Sequence, residues 1–258
     1  KSIKFEASRY VPSSIEERYI EFEIIGDADD SQMDVLIVAA PREVVESRLK
    51  ACSMAGLDVE NVDVEPFAAY RSLVEADEQH DWTDRTIALI DIGASTASLS
   101  IIRNNAFVMT RSIANGSKLL TEALKNYFKL SDEDAEAGKA QLDLTELLLE
   151  QPKENPPLRI IQPHVDDLVR EIRRSLNYFQ SQQTDGSQGT VDSLMVCGGG
   201  ANLPGLAEYL ASKLGMEAIS AGVFDNPRFT LASAEDAGRG LDLAVVSGLA
   251  MRSYGKAA

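Results

Sequence analysis

Two glycine turns, each placed where an apolar run ends, constrain this chain more than any other feature. Ile87, Ala88, Leu89 and Ile90 lead into Asp91, Ile92, Gly93, Ala94, Ser95 and Thr96; far downstream, Leu194, Met195 and Val196 lead into Cys197, Gly198, Gly199, Gly200 and Ala201. The first turn offers a carboxylate, two hydroxyls and backbone N–H groups, which suit phosphate and a metal ion. The second strips side chains away, so that main chain can approach a flat ligand closely. In this order the two turns predict a nucleotide held between them.

Each turn alone has a simpler reading. An ordinary hairpin bend would use Asp91, Gly93 and Thr96, and a tight strand-to-helix turn would use Gly198, Gly199 and Gly200. The second turn is not a Rossmann fingerprint, because Leu203 takes the third glycine's place, and it is not a Walker A loop, because no Lys-Ser/Thr pair follows. As a phosphate turn, the first would use Asp91 to hold Mg²⁺ through its water shell or to orient an attacking water. The hydroxyls of Ser95 and Thr96 would then hydrogen-bond phosphate oxygens.

Strands are expected at residues 19–25, 34–40, 57–65, 86–92, 97–103, 106–113, 191–197 and 216–219, with Asn104 and Asn105 as a two-residue hairpin turn. Helices are expected from Pro41 to Ala55, with Gly56 closing the end, and at 66–76, 117–128, 163–180, 204–214 and 241–253. The helix at 163–180 places Val165, Leu168, Val169, Ile172, Leu176 and Phe179 on one face, with Asp166 and Asp167 near its positive end. Strands and helices alternate, so the class is α/β with a mixed sheet. Residues 77–84 read as a hinge between two lobes, residues 182–190 as a loop, and the acidic stretch 131–150 as a helical excursion.

The polar strip Glu171, Arg174 and Asn177 on the long helix could serve ribose and base, or simply be a solvated face with one ion pair. Glu65, just before Pro66, could face a cleft and orient a water, or could cap the following helix. His80 and His164 have no companion ligands. With 25 Lys and Arg against 41 Asp and Glu, the net charge of −16 repels nucleic acid and anionic headgroups. Cys52 and Cys197 match no metal spacing and fit free thiols in a reducing, cytoplasmic setting.

These residues resemble the actin, Hsp70 and hexokinase superfamily, and most closely the PilM family of type IV pilus assembly proteins, relatives of the division protein FtsA. The likeness is carried by residues 6–12 (EASRYVP), 38–57 (VAAPREVVESRLKACSMAGL), 62–70 (VDVEPFAAY), 88–100 (ALIDIGASTASLS), 197–206 (CGGGANLPGL) and 246–252 (VSGLAMR). The resemblance implies an actin-like (ribonuclease H-like) two-lobe fold that binds ATP and Mg²⁺. Asp91, Gly93, Ala94, Ser95 and Thr96 would be the second phosphate motif, and Gly198, Gly199, Gly200 and Ala201 the adenosine motif, with Glu171 and Arg174 beside the nucleoside. Glu65 would lie in the first connecting motif and Ser247 to Ala250 in the second; Glu65 and Asp91 would be the catalytic pair of an at most slow ATPase.

Family members begin with a further phosphate turn that does not occur after Lys1, so the first lobe is expected to be incomplete. On this reading residues 1–60 are an inserted, partner-binding subdomain of that lobe and 61–84 its remnant and hinge. Residues 85–258 are then the second lobe, with an appended helical subdomain at about 114–157. The implied role is a cytoplasmic scaffold, peripheral at the inner membrane, that docks the amino-terminal cytoplasmic tail of a PilN-type protein. No amphipathic membrane helix is read near Arg252, Ser253, Tyr254 and Gly255. A filament-forming FtsA relative and a small-molecule kinase of the superfamily are the alternatives.

Overall fold

The computed structural model describes residues 14–29, 32–151, 154–182, 189–231, 233 and 238–252. The EASRYVP segment, most of the 182–190 loop and residues 253–255 lie outside them. The chain divides into two compact units, Lys1–Asp63 and Val64–Ala258.

In the first unit, β1 (Arg18–Asp29) and β2 (Gln32–Pro41) pair antiparallel, with register shifts between Ile24 and Gly26 and between Asp27 and Asp29. Helix α1 (Arg42–Met54) follows at once, because Pro41 ends the strand and its fixed φ suits a helix start. On this helix Val45, Leu49 and Cys52 are half-buried and Val44 is exposed. Gly56 takes φ +74° just beyond the helix end, which a side chain would strain. The guanidinium of Arg42 lies 4.2 Å from the Tyr19 ring centroid, and its Nε donates to the Glu16 carbonyl at 2.9 Å. Residues 57–64 form no strand; Leu57, Val59 and Val62 are exposed, and β-branched sequence makes a strand only where a partner surface receives it.

The second unit is built on a five-stranded mixed sheet of β3 (Thr86–Ile92), β4 (Ala97–Arg103), β5 (Ala106–Ile113), β6 (Ser193–Cys197) and β7 (Glu217–Ser220), in the spatial order β5-β4-β3-β6-β7. The β3-β4 and β4-β5 pairs are antiparallel, whereas β6 runs parallel to β3 and β7 parallel to β6. Asn104 and Asn105 both have positive φ, 50° and 60°, the conformation a two-residue hairpin needs, and asparagine tolerates it.

Pleat alternation sends Ala88, Ile90 and Ile92 to one face and Ile87 and Leu89 to the other. The first face is covered by α3 (Lys118–Phe128), α4 (Asp132–Lys139), α5 (Pro156–Ser181) and α6 (Leu206–Leu214). The second is covered by α2 (Glu65–Tyr70), which continues as one wider turn over Arg71–Glu75, and by α7 (Ala244–Met251).

The expected six-residue apolar face of the long helix is buried. That helix nevertheless starts earlier than the sequence suggests, at Pro156, where Asn155 accepts from the Leu158 N–H; Pro163 sits inside it. Asp166 and Asp167 therefore lie well past the positive end. Asp166 instead accepts a 2.6 Å hydrogen bond from the buried Tyr209 hydroxyl, and Asp167 pairs with Arg170. The acidic excursion is not separate: Leu120, Leu124, Ala135, Leu142 and Leu144 join the same core as the sheet. Within 77–84, Trp82 is buried in the core beside Leu73 and Ile87 and held by a 3.0 Å bond from Nε1 to Asp77.

Candidate nucleotide site

Because β6 runs parallel to β3 with Asp91 opposite Cys197, both glycine turns leave the same end of the sheet on adjacent strands. They touch. Gly198 has φ +88°, and a Cβ there would fall 2.2 Å from Asp91 Oδ1 and 2.7 Å from the Ile92 carbonyl. A Cβ on Gly200 would meet Ile92 Cγ2 at 2.4 Å. Two of the three glycines are thus required by the packing of one turn against the other.

The first turn is closed by the Gly93 N–H donating to the Thr96 carbonyl at 2.9 Å. It is held from behind by residues that the sequence reading did not single out. The Ser117 and Lys118 N–H groups donate to the Gly93 and Ala94 carbonyls, both at 2.9 Å, and Gly116 packs so closely that a Cβ would lie 2.4 Å from the Ala94 oxygen. The Asn-Gly pair at 115–116, between a strand and a helix, was the available signal. With its carbonyls so engaged, the turn presents its donors outward. Ala94, Ser95 and Thr96 are exposed, and neither their N–H groups nor the two hydroxyls donate to another described residue.

Strand parity puts Asp91 on the α2 side of the sheet, where Glu65 is the first residue of the helix. Burial first, and then the negative charge of Glu65, raise the Asp91 carboxyl above its ordinary value. Burial, and then Asp91, push the Cys197 thiol up as well, so the thiol stays neutral and packs as an apolar group. No hydrogen bond or ion pair links the Asp91 carboxylate to a described residue. Glu65 is exposed.

Helix α2 is fixed to α7 by a close crossing. A Cβ on Gly248 would fall 1.7 Å from the Ala68 carbonyl oxygen, Arg71 Nη1 donates to the Gly248 carbonyl at 2.7 Å, and Ser72 Oγ donates to the Ala244 carbonyl at 2.7 Å. The two segments read as connecting motifs, with Glu65 in one and Ser247 to Ala250 in the other, thus meet on the α2 side of the sheet. The loop before α7 also reaches the second turn, where the Gly198 N–H donates to the Leu241 carbonyl at 2.9 Å.

Glu171 and Arg174 are placed elsewhere. Glu171 accepts from Arg111 Nη2 at 3.3 Å on the edge strand β5, two strands from β3, and Arg174 lies 3.8 Å from Glu171 on their own helix. The structure brings Glu65, Asp91, Gly93, Ala94, Ser95, Thr96, Gly198, Gly199, Gly200 and Ala201 to one end of the sheet, and records no contact of Glu171 or Arg174 with either turn.

The chemistry of this set fits a nucleotide with a hard cation. The outward donors of residues 94–96 complement phosphate oxygens, and two carboxylates that repel one another gain from a cation nearby. No group of three or more His, Cys, Asp or Glu able to hold a metal occurs among the described residues; Mg²⁺ held through water by one carboxylate and phosphate needs none.

Residues 1–254 match the family of type IV pilus assembly protein PilM. The chain belongs to that family. A solved PilM–PilN type IV pilus biogenesis complex superposes with a TM-score of 0.79 at 28% identity, covering 97% of this chain and 70% of the other. MreB5 of Spiroplasma citri, solved bound to ADP, shares the fold with a TM-score of 0.61 at 15% identity, over 83% of this chain and 66% of its own. The cell division protein FtsA of Streptococcus pneumoniae is 23% identical over 209 residues, 72% of this chain and 42% of FtsA. The chain spans less than half the length of the curated relatives it matches. It is an actin-like protein of type IV pilus assembly.

Proposed function

We propose that this protein is an ATP-binding scaffold of the pilus inner-membrane assembly complex, which grips Mg-ATP between its two glycine turns and braces PilN- and PilO-type membrane components. The observation that carries the reading is the abutment of the turns: Gly198 lies against Asp91 on the neighbouring parallel strand, with the donors of residues 94–96 open beside it. The N–H groups of Ala94, Ser95 and Thr96 and the hydroxyls of Ser95 and Thr96 would hold phosphate oxygens. Asp91 would hold Mg²⁺ through water, and the main chain of Gly198, Gly199, Gly200 and Ala201 would face the nucleoside. The cation would neutralise phosphate charge and relieve the repulsion between Asp91 and Glu65. Glu65 would orient water beside Asp91, in an at most slow hydrolysis. Glu171 would act there only by leaving Arg111, and Arg174 only by leaving Glu171.

For the partner, the solved PilM–PilN complex supports a PilN-type protein; we assign the docking to its amino-terminal cytoplasmic tail and to the β1-β2-α1 unit. That unit holds a two-stranded sheet whose Phe22 and Ile24 are exposed. No helix of the described residues is long and apolar enough to cross a membrane, so contact with the inner membrane would run through the partner from the cytoplasmic side.

Two titrations test this. Calorimetry with Mg-ATP should show binding that Asp91→Ala weakens at least tenfold; unchanged affinity contradicts the phosphate site. A synthetic tail peptide of a PilN-type protein should bind the chain; failure to bind it contradicts the partner assignment.

A further inference from the structure

The three glycines of the second turn do not have the same reason to be glycine. Gly198 has positive φ and sits on Asp91, and Gly200 sits on Ile92. Gly199 has neither constraint. Its φ lies outside the left-handed region, it is exposed, and a Cβ there would find only one atom, Asp242 Oδ1, at 3.9 Å. Nothing in the fold of the described residues asks for a bare main chain at this position.

The edge of that bare surface is polar and held in place. Asn202 Nδ2 donates both to the Gly199 carbonyl, at 3.3 Å, and to Asp242 Oδ1. Asp242 is fixed in turn by its own N–H, which donates to the Arg239 carbonyl at 3.0 Å, and by the neighbouring Leu241 carbonyl on Gly198. Its second oxygen, Oδ2, has no partner among the described residues. A carboxylate with one oxygen anchored and one free is an acceptor aimed by its anchor, and it only accepts.

We propose that Asp242, aimed by Asn202 across the open face of Gly199, reads a hydrogen-bond donor of the bound nucleoside, either the ribose 2′-hydroxyl or an exocyclic amino group of the base. This rests on the nucleotide reading above and deepens it, because it gives the site a basis for choosing among nucleotides. An acceptor-only group rejects a ligand that lacks the donor, or that places a carbonyl there, by leaving the carboxylate desolvated and unpaired. Asp242 stands apart from Asp91 in this account: one serves the phosphate end, the other the nucleoside end.

The test is calorimetric titration of the full chain with Mg-ATP, Mg-dATP and Mg-GTP, for the wild type, Asp242→Asn and Gly199→Ala, with thermal melts of each. Asp242→Asn keeps an oxygen to accept from Asn202 and loses the free acceptor. It is expected to melt like the wild type, to bind ATP about tenfold more weakly, and to lose discrimination against one analogue: dATP if the carboxylate reads a hydroxyl, GTP if it reads the adenine amino group. Gly199→Ala has room in the free protein and is expected to melt unchanged while weakening all three nucleotides. Unchanged ATP affinity in Asp242→Asn, or a loss equal for all three nucleotides, overturns the proposal. Wild-type binding that depends on Asp91 but ignores both Asp242 and Gly199 sinks this inference alone; absence of any wild-type binding sinks the nucleotide reading with it.

Discussion

The turn after β3 and the turn after β6 leave the same end of one sheet, side by side, yet they are built in opposite ways. In the first, the Gly93 and Ala94 carbonyls accept from the Ser117 and Lys118 N–H groups and the Thr96 carbonyl accepts from the Gly93 N–H, while the N–H groups of residues 94–96 and the two hydroxyls are left outward. The second is mostly packed: Gly198, Gly200 and Ala201 are buried, and two glycines exist to let Ile92 and Asp91 approach. One turn is therefore shaped by what it must leave open, the other by what it must lie against. Substitutions of Ser95 and Thr96 in the first should change binding more than folding, and substitutions of the packed Gly198 and Gly200 in the second should change folding more than binding.

The largest expected effect tests the packed side. Gly198→Ala puts a Cβ 2.2 Å from Asp91 Oδ1 in a backbone conformation that alanine rarely adopts, and is expected to destabilise the protein by about 3 kcal/mol in urea unfolding. A loss under about 0.5 kcal/mol would mean the turns are not in contact. Next is the support of the open turn. Gly116→Ala drives a methyl into the Ala94 and Ser95 backbone and is expected to cost about 1–3 kcal/mol while weakening Mg-ATP, because the turn must move outward.

The double variant Ser95→Ala with Thr96→Ala sharpens the contrast. Its unfolding free energy should stay within about 0.5 kcal/mol of wild type, and its ATP affinity should fall about tenfold or more, as two hydrogen bonds to a charged phosphate are lost. Equal effects on stability and binding would erase the distinction between the turns.

The smallest effect is a pH dependence. Burial and then Glu65 raise the Asp91 carboxyl in the folded protein, so ionising it costs the native state, and the stability it contributes in acid is lost as pH rises through the raised value. Asp91→Asn escapes that loss. It is expected to be at least as stable as wild type at pH 7, with the advantage shrinking toward and below the ordinary aspartate range, while Mg-ATP binding is weakened throughout. An Asn variant less stable than wild type at neutral pH would place Asp91 in a paired, stabilising setting instead.

Most of this architecture was legible because it rests on local rules. Apolar runs with turn residues at their ends gave β3, β4 and β5 with the observed bounds. Asn104 and Asn105 marked the hairpin because few residues tolerate two successive positive φ values. What was missed depends on distant partners. Residues 57–64 alternate like a strand but have no pairing partner in the sheets, and the helix expected from residue 163 starts at Pro156, whose ring suits a first helical turn. Asp166 and Asp167 were read through the helix dipole; one is instead a buried tyrosine's acceptor.

In the site, the glycines, Asp91 and Glu65 were visible from strand ends. Gly116, Asn202 and Asp242 were not, because their roles exist only once the loop before α7 and the start of α3 are brought against the turns. Glu171 and Arg174 show the converse. Their spacing on a polar helix face suggested a ligand, and the structure gives Glu171 an arginine on a neighbouring strand.

Amide chemical shifts of the full chain during a Mg-ATP titration test the shared grip most directly. The account predicts that the N–H signals of Ala94, Ser95 and Thr96 and those of Gly198, Gly199 and Gly200 move together and saturate at one ligand concentration. Movement of one group alone, or of neither, would contradict it.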